Sequence, residues 1–588
     1  MQITNKIIKN QIKGFLTLYL MILFIGLLLN LGRHRLNLYW PANTILPIIL
    51  NNKIDLLNFD FFTTNYRNSP QIILSTIYSK ILPNDHLEIL SIFSIIMIYL
   101  KSFVESIQIF IAVSIFYNIK NLFQKQNETI HPFIYLVTGI VYNAIFMVNL
   151  VIPKFVYLLP AIPNNLSKLI SFLYTLFLQT PLVGVTIAGF QFPLSMASAR
   201  GISLSISLLT ASFPIILNLY HIKIERKINF IILSICFALN FLATLIHPVS
   251  PLSGLIILLI YHFSSINIGL FYSLKRFYIV NISSYILGLI TLLYNFPQSP
   301  IDNNIFFQSY VVLSHPFHYL PSFYLFNKDF FLNFSISATI IIIMLTINKI
   351  KFRRNALNRL LIISSIFAFS LNLIQFLFVE ILNINLFIKY GLSSLSFIFN
   401  LYYSISLIYF VYLFIHKKSY FPRFKLIFKR ILLIINDVLI KKITFLLLIT
   451  IIILSLSCFN LNFIKIQNSW TKQLSNFMSF NGYSKTTQIL IDKNLRDKFI
   501  YPREIGGLNI FLDDYFPFTT ESIVDWQERY YEIENLEECI KSNSLKCNIK
   551  SENNVFFVSD KIQDKFSNNI QSFKINNKKI FIQEIKKF

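Results

Sequence analysis

The chain has 588 residues, 55% of them apolar, and a mean hydropathy of +0.59, richer in apolar residues than the about 45–50% of soluble domains. Its formal charge is +25, but the Lys and Arg fall in short clusters between apolar runs. That is the signature of cytoplasmic loops in a membrane protein, and it excludes nucleic acid as the partner.

In chain order, Lys6, Lys9 and Lys13 precede the first apolar run, and no small-residue cleavage site follows it. Residues 15–31 therefore read as an uncleaved first span. Residues 32–86 form a long outer loop, and further spans are expected at 87–117, 132–151 and 202–219. A re-entrant or interfacial helix, broken around Gln191 and Arg200, precedes the last of these. Seven more are expected at 228–246, 252–272, 277–294, 334–350, 359–380, 390–415 and 443–461, with a second long outer loop at 295–331. The fold class is thus a polytopic α-helical membrane protein of about 11 spans. Basic clusters place the N-terminus in the cytoplasm and the C-terminus outside. Residues 422–442, basic with interleaved apolar positions, read as an interfacial helix on the inner surface.

Residues 1–462 are expected to form the membrane domain and 463–588 a small extracytoplasmic α/β domain. Apolar runs at 487–491, 508–512 and 554–558 read as strands, and 522–533 as a helix capped by Thr519 or Thr520. Cys539 and Cys547 can pair if this domain is outside; the spacing alone leaves the pairing open.

The polar clusters that can carry chemistry gather on the outer face. Asp60 lies among aromatics in Asn58-Phe59-Asp60-Phe61-Phe62-Thr63-Thr64-Asn65. It suits a general base or a divalent-cation ligand, and equally a residue capping a short helix. Asp85 and Glu88 open the second span, where acids favour a helix N-terminus and can also meet Asp60 in space. His315, His318 and Tyr319 stand around Pro316 in the second outer loop, where imidazoles can bind phosphate or shuttle protons, or simply hydrogen-bond to backbone. Lys101 and Glu105, one turn apart inside a span, form an intramembrane pair that is either structural or functional. No Walker A, GxSxG, HExxH or CxxC pattern occurs, so nucleotide hydrolysis and catalytic zinc have no support.

A long first outer loop with an acid, many spans and an outer C-terminal domain resembles the C-type glycosyltransferases. Those membrane enzymes take sugar from a polyprenyl-phosphate donor. Three pieces are also similar to an uncharacterised bacterial membrane-protein family of unknown function. They are Asp60-Phe-Phe-Thr with Asn68-Ser69-Pro70, then His315-Pro-Phe-His318-Tyr-Leu-Pro321, and the tail's Asp513 with Asp525-Trp526-Gln-Glu-Arg529-Tyr. The resemblance implies a glycosyltransferase-like enzyme with Asp60 as base or metal ligand and His315 and His318 on the donor phosphate. Arg67 is expected to pair with that phosphate, Tyr319 to line the lipid entrance, and Asp85 and Glu88 to sit beside the substrate. The partners expected are membrane lipids and a polyprenyl-phosphate-linked sugar. No cofactor beyond a divalent cation is expected. A transporter or flippase, or a non-catalytic scaffold, are the competing readings. The enzyme reading places Asp60 and His318 within about 10 Å of each other in one concave pocket.

Overall fold

A computed structural model describes residues 2–32, 45–58, 60–67, 71–124, 202–211 except 205, 226–249, 251–296 except 266–267, 303–314, 320 and 356–384. It also describes 437–587 except 497, 500, 513–519, 543–546, 550–553, 565, 567–569 and 576–577. The described helices before the tail are α1 (Gln2–Gly32), α2 (Ile45–Ile54), α3 (Phe61–Arg67), α4 (Gln71–Ile81) and α5 (His86–Gln124). There follow α6 (Arg226–Ile246), α7 (Pro251–Ser265), α8 (Ile268–Asn295), the short α9 (Asn303–Phe306), α10 (Ala356–Gln375) and α11 (Asp437–Gln467). Two π-helical turns, Phe307–Ser314 and Phe376–Ile381, continue α9 and α10.

Four described helices are long and apolar enough to cross a membrane, over His86–Ile107, Asn229–Ile246, Lys275–Asn295 and Thr444–Gln467. In α11 the apolar side chains face outward: Phe445, Leu446, Ile452, Ile453 and Leu456 are all exposed. Such a surface is unfavourable in water and suits hydrocarbon. The expected spans at 132–151, 334–350 and 390–415 lie outside the described residues, as do half of 202–219, the expected re-entrant or interfacial helix before it and most of 422–442.

The chain divides into two compact units. One comprises Met1–Leu28, Ile98–Thr291 and His315–Leu454. Within it, Phe15 of α1 meets Phe103 and Phe110 of α5 edge-on. Between α6 and α8, Asn240 donates to the Asn281 carbonyl and to Ser284 Oγ. A Cβ on Gly288 would come within 2.7 Å of Thr244, so the glycine lets the two helices approach.

The other unit joins Leu29–Met97 and Leu292–Ser314 to Ser455–Phe588, so the first loop packs with the tail. Three of its helices meet in a buried polar layer. Asn30 of α1 donates to Asn462 Oδ1 of α11, and Asn462 donates to Ser94 Oγ of α5. Lys465 caps the Asn30 carbonyl at 3.0 Å.

The tail begins with α12 (Trp470–Phe480), capped by Ser469, whose Oγ accepts from Lys472 N. It then alternates β1 (Gln488–Ile491), α13 (Pro502–Gly506), β2 (Asn509–Ile510), α14 (Thr520–Lys541), β3 (Asn548–Ile549), β4 (Val555–Ser559), β5 (Ile570–Ile575), β6 (Lys578–Glu584) and β7 (Lys586–Lys587). The main sheet has order β2-β1-β4-β6-β5; β1 is parallel to both neighbours, and β6 is antiparallel to β4 and β5. Side chains alternate between its faces. Ile489, Ile491, Val558, Ile580 and Ile582 pack with Leu474 and Met478 of α12, while Leu490, Val555 and Phe557 pack with Ile533 and Leu536 of α14. The sheet is therefore the middle of three layers. Buried on both faces, β1 and β4 carry the near-continuous apolar runs that made them visible in the sequence. In α14, Ile523, Trp526, Ile533 and Leu536 recur at helical spacing on the buried side. The β5–β6 hairpin escaped the sequence reading because β5 is a half-exposed edge strand with an alternating pattern. Cys539 and Cys547 form a disulfide that ties the end of α14 to the start of β3.

Candidate functional site

The first loop enters its site through two left-handed residues, Asp55 (φ 51°) and Leu57 (φ 72°). Asp60 then starts α3. Its Oδ2 accepts from Thr63 N at 2.8 Å and from Thr63 Oγ1 at 2.7 Å, satisfying orphan donors of the first turn. Thr64 Oγ1 donates to the Asp60 carbonyl. The capping role weighed from the sequence is therefore real. The aspartate also has no exposed surface.

Its counter-charge comes from the tail. In Tyr501-Pro502-Arg503-Glu504-Ile505-Gly506-Gly507, Pro502 opens α13 and Gly507 closes it in the left-handed region at φ 64°. Tyr501, before the proline, is also left-handed. This short turn buries Arg503 at 1% exposure and Glu504 at 2%. Arg503 Nη1 lies 3.6 Å from Asp60 Oδ2, and Nη2 lies 3.7 Å from Glu504 Oε1. The guanidinium rests 5.2 Å from the centroid of the buried Phe62 ring. Asp60, Arg503 and Glu504 thus form a charged triad removed from water. Such a group is tolerated only while its members compensate one another. Asp60 Oδ1 has no hydrogen-bond partner among the described residues.

A second guanidinium stands beside it. Arg529 of α14 lies 4.3 Å over Phe61 and 5.2 Å over Phe511, and its Nη1 donates to the Phe511 carbonyl at 2.9 Å. Burial pulls its pKa below the ordinary arginine value, and the charges of Asp525, Asp60 and Glu532 pull it back. Arg503 pairs with both Asp60 and Glu504, and the Arg529 charge acts on Asp60 from α14. From the same helix, Ser522 Oγ donates to Asn65 Oδ1 of α3, and Asn65 Nδ2 in turn donates to the Phe61 carbonyl. Helix α3 is therefore held from one side by α13 and from another by α14.

Other contacts fix α13. His86 Nε2 donates to the Glu504 carbonyl at 2.7 Å, and Ser475 Oγ donates to the Gly506 carbonyl at 2.5 Å. Leu56 covers Gly507 so closely that a Cβ there would come within 2.7 Å of it. Gly507→Ala should therefore destabilise this unit by about 1–3 kcal/mol, through left-handed strain and the clash together. Thermal unfolding of the purified full chain, followed by tryptophan emission, checks this. A midpoint unchanged from wild type would show that Leu56 does not cover Gly507.

The remaining sequence candidates separate. Asp85 caps α5, its Oδ1 accepting from Glu88 N at 2.9 Å, and both acids are exposed; the residue of that segment that reaches α13 is His86. Arg67 is the last residue of α3. Lys101 Nζ and Glu105 Oε1 pair at 3.7 Å on one face of α5. His315, His318 and Tyr319 lie outside the described residues, as does the Asp513 end of the tail motif. The segment leading to them does not: the π-helical turn Phe307–Ser314 packs against α14, the helix that carries Arg529. Among the described residues, no three His, Cys, Asp or Glu side chains gather as a metal ion would require. Arg503 already supplies positive charge to both buried carboxylates, which makes them poor ligands for a divalent cation.

Arg503 and Glu504 were not singled out from the sequence, and His86 stood only as a member of the Asp85–Glu88 segment without a role of its own. The signals for α13, a proline at its start and paired glycines at its end, mark a short helix and carry no sign of a buried charge. Arg529 stood in a recognised motif without a role.

Comparison with protein-family models, curated proteins and solved structures finds no match to this chain.

Proposed function

We propose that this chain is a glycosyltransferase-like integral membrane enzyme of the bacterial plasma membrane that takes sugar from a polyprenyl-phosphate-linked donor at the extracytoplasmic face. The observation that carries the reading is Asp60. This acid of the first loop is buried and paired with the tail's Arg503, within the field of Arg529, with one carboxylate oxygen still without a hydrogen bond among the described residues. Guanidinium forks suit phosphate oxygens, so Arg503, Arg529 and Arg67 are the groups to meet a donor phosphate once α3 parts from α13. Asp60 then serves as general base. His315 and His318, expected from the sequence on the donor phosphate, belong to the same proposal.

The topology belongs to the same proposal: eleven crossings, a cytoplasmic N-terminus, a re-entrant or interfacial helix before residue 202, and an extracytoplasmic tail from 463 onward. Two observations support it. The layer Asn30–Asn462–Ser94 puts the end of α1, the end of α11 and the start of α5 at one level, so the first loop and the tail leave the helices together. The Cys539–Cys547 disulfide fits an oxidising compartment.

A second reading, a non-catalytic scaffold, is favoured by the complete burial of Asp60. Mass spectrometry of lipid extracts separates the two. A deletion strain is compared with strains restored by wild type, Asp60→Asn, or the charge-free triple Asp60→Asn/Arg503→Met/Glu504→Gln, with membrane protein levels measured in parallel. The enzyme reading expects the triple to accumulate to wild-type level yet leave the deletion strain's lipid profile. A triple variant that restores the lipid profile would leave the scaffold reading.

A further inference from the structure

Helix α4 carries apolar side chains on its exposed as well as its buried face, with Thr76 exposed beside them. Leu74, Ser75 and Tyr78 are buried, with the Tyr78 ring 5.8 Å from Phe93 of α5. On the outer side Ile77 is 51% exposed and Ile81 69%, one turn apart, with Lys80 exposed between them. A helix in water turns its polar residues outward. The 11 residues of α4 span only about 16 Å, too short to cross a bilayer. Only Leu82, Pro83, Asn84 and Asp85 separate Ile81 from the apolar stretch that begins at His86. The five steps from Ile81 to His86 reach at most about 18 Å. Lys53 further ties this link down, donating to the Leu82 carbonyl and to Asn84 Oδ1.

The end of α4 is thus held within one short step of the start of the apolar stretch of α5. We infer that α4 is an interfacial helix whose Ile77–Ile81 face is seated in the lipid bilayer at the boundary between headgroups and acyl chains. Lys80 supports a lipid occupant, since its stem can lie along the apolar surface while its ammonium reaches headgroup phosphates. The inference rests on α5 crossing the membrane and does not depend on any catalytic role.

The test uses the full chain in nanodiscs of phosphatidylcholine and phosphatidylglycerol, with a polarity-sensitive fluorophore on single added cysteines. The free native thiols, Cys236 and Cys458, are both buried. Labels replace Ile77 or Ile81, with Phe103 on α5 reporting the span and Glu534, exposed on α14, reporting water. Lipids spin-labelled near the headgroup should quench the Ile77 and Ile81 labels by about half or more, as expected for a face about 5–10 Å below the headgroup surface. A water-soluble quencher should act on the Glu534 label and leave these two largely unaffected. Ile77 and Ile81 labels that follow Glu534, or that are shielded from both quenchers by a second copy or another protein surface, would overturn the proposal. A Phe103 label blind to quenchers deep in the acyl chains would remove its premise and overturn it as well. A deep-quenched Phe103 beside unquenched Ile77 and Ile81 would sink the interfacial helix while leaving the span intact.

Discussion

Replacing Arg503 with methionine is expected to destabilise the loop–tail unit by about 3–5 kcal/mol, the cost of leaving buried charge without its partner. Asp60 and Glu504 would then face each other with neither water nor the guanidinium that now lies 3.6 and 3.7 Å from them. The residue occupies its site by volume as well as by charge, packed over Phe62, and methionine keeps most of that volume. The deficit should therefore come from the charge. The charge-free triple with Asp60→Asn and Glu504→Gln should recover most of the loss, because asparagine still caps α3 and no uncompensated ion remains. Wild type, Arg503→Met, the double Asp60→Asn/Glu504→Gln and the triple, unfolded in detergent and followed by the emission of the buried Trp526, form a cycle that isolates the coupling. If Arg503→Met alone unfolds at the wild-type midpoint, the triad is not a buried, mutually dependent cluster.

The second large effect concerns the disulfide. It closes a short loop, Cys539 and Cys547 being eight residues apart in sequence. Chain-entropy reasoning assigns a loop of that size about 2–3 kcal/mol. Substituting both cysteines by serine should lower the stability of the tail by that amount and loosen the pairing of β3 with β7, which starts directly after Cys547. The loss should be confined to this end of the tail. Hydrogen exchange should rise in β3, β7 and the last turn of α14, while the amides of β1 and β4 stay protected. Equal deprotection across the whole sheet would mean that the bridge holds the domain rather than its edge. Protein extracted with a thiol-blocking reagent should show the bridge already formed if the tail lies outside the cytoplasm, and free thiols at both positions would remove that support for the topology.

The apolar runs of spanning length were legible in the sequence, because such a run is a local property that needs no partner, and four of the described helices carry one. The sequence also determined β1, β4 and α14, each marked by an apolar pattern matched to its own geometry. Asp60 was legible as unusual, an acid set among aromatic residues, but its two roles were not separable there. The Thr63 cap is three residues away and lies within reach of local reasoning. Its ionic partner Arg503 comes from the far end of the chain, and nothing in an arginine's neighbours announces that it will be buried. The tertiary structure alone decided that pairing, along with the clasp of α3 between α13 and α14 and the outward turn of Ile77 and Ile81. The physical reason is the same in each case. Whether a charge is compensated or an isoleucine is covered depends on which distant surfaces meet, and local propensity and periodicity carry no information about that.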